Sequence, residues 1–462
     1  MKRYSILLFV LLIFGTIKAQ YTVLHNFNYS KDGASPYGAL TFSGKALYGM
    51  TRYGGKHNFG IIFKIDTNGS NYKNLHDFDS ITGSQPMYDS LIYSSGTLYG
   101  MASSGGKNDL GCIFSIDTSG NNYKDMLDFD GLNGGIPNGG LTLYNDTLYG
   151  MTSAGGKYSQ GCIFCINVNG TNYKDLFDFN GSDGASPLGT LTLSDKVLYG
   201  MTYNGGANSY GVIFSISIDG TNYKDLFDFN NAEGTHPYGD LTVSGAKMYG
   251  MVYTTGSAGF IFSIDTNKHN YKILLNLNNF DAGSPTGSFV ISKNILYGMS
   301  AGGLVVNGIS HGVIFSIDTD GTNSKNLFYF NGDDGYNPEG TLTLLGNVLY
   351  GMTTYGGING AGVIFKVDSN AIAGINNIST PMQRIIVYPN PSNGQFTLSS
   401  SNINMACKVE IYNVLGEKVF TEPLNQSNSN INLSGQPMGV YLYRVVTQTG
   451  ELVATGKVVV QR

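Results

Sequence analysis

The 462-residue sequence has no tryptophan, only 4 cysteines and 12 prolines, and charged residues make up 13% of it. So few cysteines exclude a disulfide framework as the source of stability in a chain this long. The formal net charge is −5 and the basic residues form no cluster, so the footprint that nucleic-acid binding demands is missing. Long hydrophobic runs are also missing. The longest, Ile6 to Phe14, has nine residues, whereas a membrane-spanning helix takes about 20. With Lys2 and Arg3 before it and Ile17-Lys18-Ala19 after it, that run reads as a secretory signal peptide over 1–19, cut between Ala19 and Gln20. The expectation is an exported chain with no transmembrane helix.

In place of these residues the chain has 64 Gly, 32 Tyr and 25 Phe. Frequent Gly, Asn and Asp between short runs of Tyr, Ile, Phe and Thr suit many short strands joined by tight turns. The tetrad Leu-Tyr-Gly-Met recurs, as at Leu47–Met50, Leu148–Met151 and Leu349–Met352, with Met248–Met251 as its one variant. Its seven tyrosines, Tyr48, Tyr99, Tyr149, Tyr199, Tyr249, Tyr297 and Tyr350, are 48 to 53 residues apart. One repeat divides into four runs: Gly140–Leu143, Leu148–Thr152, Gly161–Ile166 and Tyr173–Phe179. A period near 50 with four strand-like runs and paired glycines is that of propeller blades.

The ends of the array indicate whether it closes. The seventh repeat stops after Gly362–Val367 and has no fourth run behind it. The missing copy stands at the other end, where Tyr21–Phe27 matches Tyr72–Phe78. The expectation is an all-β chain: a seven-bladed propeller of four-stranded blades over 20–370, closed by its N-terminal strand. A linker over 371–385 and a small C-terminal β-sandwich over 386–462 follow. The repeated Leu, Tyr, Met, Ile and Phe are natural fillers between blades, and the glycine of each tetrad marks a close approach of two backbones.

Two resemblances go with this pattern. The Leu-Tyr-Gly-Met-Thr segments, Gly211–Phe214 and Asn222–Phe229 resemble the tandem-repeat family labelled GloVer, which implies a surface-associated repeat protein and offers no active site to transfer. The C-terminal segment carries Val387–Gly394, Val409–Gly416, Gly439-Val440-Tyr441 and Lys457–Val460. It is similar to the type A sorting domain of the type IX (Por) secretion system of Bacteroidetes. That resemblance places Pro389, Asn390, Pro391, Gly394, Gly416, Gly439, Tyr441 and Lys457 in the sorting motif. It implies passage through the periplasm, handling by the type IX machinery, display at the outer surface, and attachment to surface lipopolysaccharide.

Catalytic signatures are weak. The array has one arginine, Arg52, where a sialidase uses a cluster, and Ser115-Ile116-Asp117 only approximates an Asp-box, a structural turn in any case. His25, His57, His76, His236, His269 and His311 are scattered, and Asp318–Gly321 lacks most of a calcium loop. Cys162 and Cys165 face opposite sides of one run, so they read as small hydrophobes. The recurrent Asp77, Asp128, Asp178 and Asp228 read as turn or edge residues. No metal or cofactor is called for.

Variation between repeats is the better guide to binding. The residues after the tetrads, Arg52, Tyr53, Tyr203, Asn204, Tyr253 and Tyr355, and the insertion from Leu304 to Ser310, are the candidate binding positions. The function expected is non-enzymatic binding or adhesion at the cell surface, with a glycan or a protein as ligand. A polysaccharide-degrading enzyme and a structural surface-layer component are the alternatives.

Overall fold

A computed structural model describes residues 21–369 and 385–461, apart from 89, 255–256, 268–269, 278–281, 303–304, 307–308, 401–406, 425–427 and 448–451. The signal peptide, its Ala19–Gln20 cut and the linker up to 384 lie outside the described residues, as does His269. The chain divides into two compact units, Met1–Ile372 and Ala373–Arg462.

Among its described residues the N-terminal unit is built of seven four-stranded antiparallel sheets, with one four-residue helix, Tyr29–Asp32. The third sheet shows the pattern, with strands Thr142–Tyr144, Thr147–Thr152, Cys162–Asn167 and Lys174–Asp178 side by side in chain order. Tyr144 pairs with Thr147 across the two-residue turn Asn145-Asp146, where Asn145 takes φ 53°, a conformation asparagine tolerates. A bulge between Ile163 and Phe164 offsets the fourth strand.

Alternation along the second and third strands lets each sheet face two neighbours. Leu148, Phe164 and Ile166 pack with Tyr99, Met101, Ile113 and Phe129 of the second sheet. Tyr149, Met151, Ile163 and Phe179 pack with Leu191, Leu198, Phe214 and Ile216 of the fourth. Burying such a side chain contributes about 1.5–3 kcal/mol before entropy is counted, so the repeated residues are the source of the unit's stability.

The tetrad glycine does make room, but for a ring and not for a second backbone. A Cβ on Gly150 would lie 2.5 Å from Phe164 Cζ and 3.1 Å from Leu141 Cδ2. The expectation of close backbones at this position is therefore corrected: glycine is needed because the end of the phenylalanine ring on the neighbouring strand occupies the space a Cβ would take.

The seventh sheet draws on both ends of the unit. Thr22–Asn26 pairs antiparallel with Val363–Asp368, with Thr22 opposite Lys366 and Asn26 opposite Val363. On its other side are Val348–Thr353 and Thr343–Leu345. Its Tyr350, Met352 and Ile364 pack with Leu40, Leu47 and Phe63 of the first sheet. The Thr343 hydroxyl donates to the Leu40 carbonyl at 2.5 Å, as Thr192 does to Leu241 at 2.5 Å between the fourth and fifth sheets.

In the C-terminal unit a three-stranded sheet (Ile385–Tyr388, Gln395–Ser400, Asn428–Asn432) and a four-stranded one share a single core. The second has the order Lys418–Leu424, Cys407–Tyr412, Gly439–Thr447, Leu452–Val460. Phe396, Leu398 and Ile431 from the first sheet meet Val409, Ile411, Tyr441, Val445 and Val458 from the second. This is a two-layer arrangement of the sandwich kind.

Candidate functional site

A Pro-X-Gly segment leads into the first strand of six of the seven repeats, as in Pro36-Tyr37-Gly38, Pro237-Tyr238-Gly239 and Pro338-Glu339-Gly340. These segments abut one another through their glycines. A Cβ on Gly139 would lie 2.1 Å from the Gly189 carbonyl oxygen, and one on Gly239 would lie 2.2 Å from that of Gly287. One on Gly340 would lie 2.2 Å from that of Gly38. Only a residue without a side chain fits there, so the backbones touch and the intervening X residues gather in one place. The second repeat departs from the pattern, with Pro86-Met87-Tyr88-Asp89 one residue longer before Leu91.

That extra length puts Tyr88 among residues from three other repeats. Its hydroxyl donates to Glu339 Oε2 at 3.2 Å. Its ring meets Tyr37 edge-on, with centroids 5.4 Å apart, and lies 6.2 Å from Tyr238. Tyr238 in turn meets Tyr203 at 4.9 Å, and Tyr203 lies 4.7 Å from His236. The result is a collar of phenols around a single carboxylate.

The electrostatics follow from removing water. Burial pushes the Glu339 carboxyl up to about 7, against smaller lowering effects from the Tyr88 hydroxyl and the Arg52 charge. The Asn337 amide also reaches Glu339 Oε1. Burial likewise raises Tyr37 and Tyr88, and it pushes Tyr238 up to about 12 with help from a hydrogen bond to Tyr203. The phenols are therefore neutral donors at any physiological pH, while Glu339 is poised between its acid and its base. The Arg52 guanidinium lies over the rings of Tyr37 (5.4 Å) and Tyr53 (4.9 Å).

Of the positions expected from the sequence, Arg52, Tyr53, Tyr203 and Tyr355 fall in or against this collar. Tyr355 reaches the Tyr37 hydroxyl and stacks on Tyr336 at 5.4 Å. Tyr253 lies within electrostatic range of Tyr238. Asn204 has a local structural role instead, its main chain pairing with Ala185 and accepting from the Thr202 hydroxyl at 2.8 Å. Sequence reasoning missed Tyr37, Tyr88, Tyr238 and Glu339. The available signal was the X of Pro-X-Gly, which changes from repeat to repeat, together with the longer spacing after Pro86. In the insertion at 304–310 the described residues form a small hairpin pairing Val305 with Ser310.

The remaining chemical residues have structural partners. Asp77 and Asp128 accept the backbone N–H of Lys56 and Lys107, at 2.7 and 2.8 Å, and so tie down the glycine-pair loops. His25 and His76 stack on Tyr72 and Tyr123, each at 3.9 Å. Burial pushes the Cys162 thiol up to about 12, which suppresses thiolate chemistry. Among the described residues, no three His, Cys, Asp or Glu side chains are grouped so as to hold a metal ion.

In the C-terminal unit Asn390 brackets the last strand, accepting from Val459 N at 2.9 Å and donating to the Lys457 carbonyl at 3.1 Å. The buried Tyr441 donates to the Pro437 carbonyl at 2.7 Å. Gly394 has φ 101° and lies against the backbone of Ser434, and Gly416, at φ 82°, turns the Asn413–Glu417 loop. Lys457 is exposed.

Comparison with known proteins agrees with both parts of the chain. The family described as the Gloeobacter/Verrucomicrobia repeat matches residues 12–151 and 133–310. The one described as a secretion system C-terminal sorting domain matches residues 386–461. An ulvan lyase from Nonlabens ulvanivorans is 34% identical over 95 residues, covering 20% of this chain and only 16% of that enzyme. Among solved structures, a GH74 enzyme from Niastella koreensis has a TM-score of 0.52 at 12% identity, over 93% of this chain and 67% of its own. The extracellular domain of a hybrid two-component system from B. thetaiotaomicron has a TM-score of 0.50 at 10% identity, over 96% of this chain and 59% of its own. At such identities these two structures speak to the fold alone. The sorting domain marks the chain as a type IX secretion cargo delivered to the cell surface, and no described helix is long and apolar enough to cross a membrane.

Proposed function

The chain belongs to the Gloeobacter/Verrucomicrobia repeat family, and from that premise we propose that it is a surface-displayed, non-enzymatic glycan-binding protein. In this reading residues 20–370 form a closed seven-bladed propeller whose collar is the binding face, and residues 386–462 are the sorting module. Closure is supported by the strand Thr22–Asn26, which completes the seventh sheet, and by the packing of that sheet on the first. The observation that carries the reading is the meeting of Tyr37, Tyr88, Tyr238 and Glu339, contributed by four repeats. Aromatic faces stack on sugar rings, and phenol and carboxyl groups bond to hydroxyls. Tyr37, Tyr238 and Glu339 occupy the position that varies from repeat to repeat, and Tyr88 comes from the one repeat that departs from Pro-X-Gly, as expected of binding residues set on a constant frame.

Polysaccharide cleavage is the competing reading, and the near-neutral titration of Glu339 speaks for it. A glycosidase, however, works with two carboxylates about 5–9.5 Å apart. The hydrogen-bond partners of Glu339 are Tyr88 and Asn337, and the buried Asp240 on the abutting segments is already engaged by the Thr190 N–H and the Thr190 and Ser288 hydroxyls. Binding is the better account. Incubation of the whole chain with a panel of insoluble polysaccharides tests it. Selective depletion from solution, reduced at least tenfold by Tyr238→Ala and without release of soluble sugar, is the expected result. Depletion unaffected by Tyr238→Ala would remove the collar from the account, and release of fragments would make the protein an enzyme.

A further inference from the structure

We propose that the ligand of the collar is a carboxylated saccharide, a glycan carrying uronate groups, held by the Arg52 guanidinium beside Glu339. This rests on the glycan-binding reading and deepens it by naming the class of sugar. Two features of Arg52 carry the argument. It is the one arginine in residues 20–370. Its guanidinium is pressed over two tyrosine rings, and its Nε is buried without a hydrogen-bond partner. Among the described residues, no carboxylate lies within 4.0 Å of it as an ion-pair partner. A guanidinium that bonds to the Tyr37 side chain and keeps its Nε donor unused can hold an anion, and its planar fork matches a carboxylate.

Glu339 explains how an anion is tolerated beside a carboxyl group. The side chain lies half-buried under Tyr88, within reach of Asn337 and the Arg52 charge, and burial pushes its carboxyl up to about 7. The other titratable groups facing it are Tyr37, Tyr88 and Tyr238. All three phenols are held neutral by burial, and burial also favours the neutral form of His236 against Tyr203, so Glu339 is the group that changes charge between pH 6 and pH 8. In its acid form it becomes a hydrogen-bond donor to an incoming carboxylate, and the site is left with the single positive charge of Arg52. In its ionised form it repels that carboxylate. Binding a uronate therefore takes up a proton, whereas a neutral sugar bonding to ionised Glu339 would release one.

Calorimetric titration of the full chain with an oligogalacturonate and with a neutral cello-oligosaccharide of equal length, at pH 6 and pH 8, separates the cases. Galacturonate is ionised at both values. The expected result is binding of the oligogalacturonate about tenfold tighter at pH 6 than at pH 8, from titration of one group near 7. Glu339→Gln should abolish that pH slope, and Arg52→Gln should abolish binding, with partial recovery in Arg52→Lys if the charge is what matters. Binding of the cello-oligosaccharide in preference, or oligogalacturonate binding with a flat or reversed slope, would overturn the uronate assignment while leaving glycan binding intact. Failure of both sugars, together with no depletion by any polysaccharide, would overturn both.

Discussion

The Tyr88 hydroxyl donates to Glu339 Oε2 at 3.2 Å, joining two residues 251 positions apart in sequence. Tyr88 comes from the repeat with one extra residue between its proline and its first strand, whereas Glu339 comes from a regular Pro-X-Gly segment. It favours the ionised form of Glu339 against the burial that disfavours it. Tyr88→Phe keeps the ring and loses the donor. A hydrogen bond to a charged group contributes about 1.5–3 kcal/mol, and one pKa unit corresponds to about 1.4 kcal/mol. The Glu339 midpoint should rise by about one unit in Tyr88→Phe, read from its side-chain carboxyl signal in an NMR titration. An unchanged midpoint would mean that the bond is idle in solution.

Asp125 and Asp175 occupy one repeat position, and burial followed by repulsion from Asp128 and Asp178 pushes each up to about 6. A carboxyl raised in the folded state binds more protons there than in the unfolded chain. It therefore favours folding at low pH, and that contribution is lost as pH rises from about 4 through 6. The first sheet has Asn74 at this position, and its amide donates to Asp77 Oδ2 at 3.0 Å. Asp125→Asn and Asp175→Asn should each stabilise the protein at pH 7.5 by about 1 kcal/mol, discounted for half-exposed groups. The gain should vanish near pH 4. Urea unfolding at the two pH values checks this.

Gly150→Ala tests the ring that crosses each tetrad glycine. The new methyl would collide with Phe164 and Leu141, and overpacking of this kind costs about 1–3 kcal/mol. A denaturation midpoint of the repeat unit in Gly150→Ala equal to that of the wild type would contradict the packing described.

Glu410 in the C-terminal unit behaves in the opposite sense to the aspartates. Hydrogen bonds from Tyr412 and Arg444, then Lys408 and Lys418, hold its carboxyl down at about 2. Arg444 Nε lies at 2.7 Å and the two lysines at 3.2 and 3.3 Å. A depressed carboxyl stabilises the fold above its unfolded value of about 4.5, and that contribution disappears as pH falls toward 2. The calorimetric transition of this unit should drop through that window. Glu410→Gln should lower it by roughly 5 °C at pH 7 and remove the acid step. A wild-type transition that stays level from pH 4.5 to 2.5 would argue against the cluster.

Much of the fold was legible because each repeat solves the same packing problem with the same residues. Leu148, Tyr149, Met151 and Phe164 recur as a set since a sheet such as the third faces a like neighbour on each side, and the match of Tyr21–Phe27 to Tyr72–Phe78 anticipated the pairing of Thr22–Asn26 with Val363–Asp368. The collar was legible only in part. Arg52 and Tyr203 stood out as variable residues after a constant tetrad. Tyr88 and Glu339 did not, because nothing local to either one says that the two meet. Their contact depends on how the sheets are arranged around one another, a property that no single repeat encodes. The role of the tetrad glycine was misjudged for a related reason: a cross-strand phenylalanine and a cross-strand backbone demand the same missing Cβ.

The most direct test of the account is a crystal structure of the chain with a bound saccharide. The account predicts a sugar ring stacked on Tyr238 or Tyr88 at about 3.5–4 Å, with a polar group of the sugar on Glu339 and a carboxylate on Arg52. A saccharide bound on the outer edge of the sheets, or on the C-terminal unit with the collar empty, would contradict it.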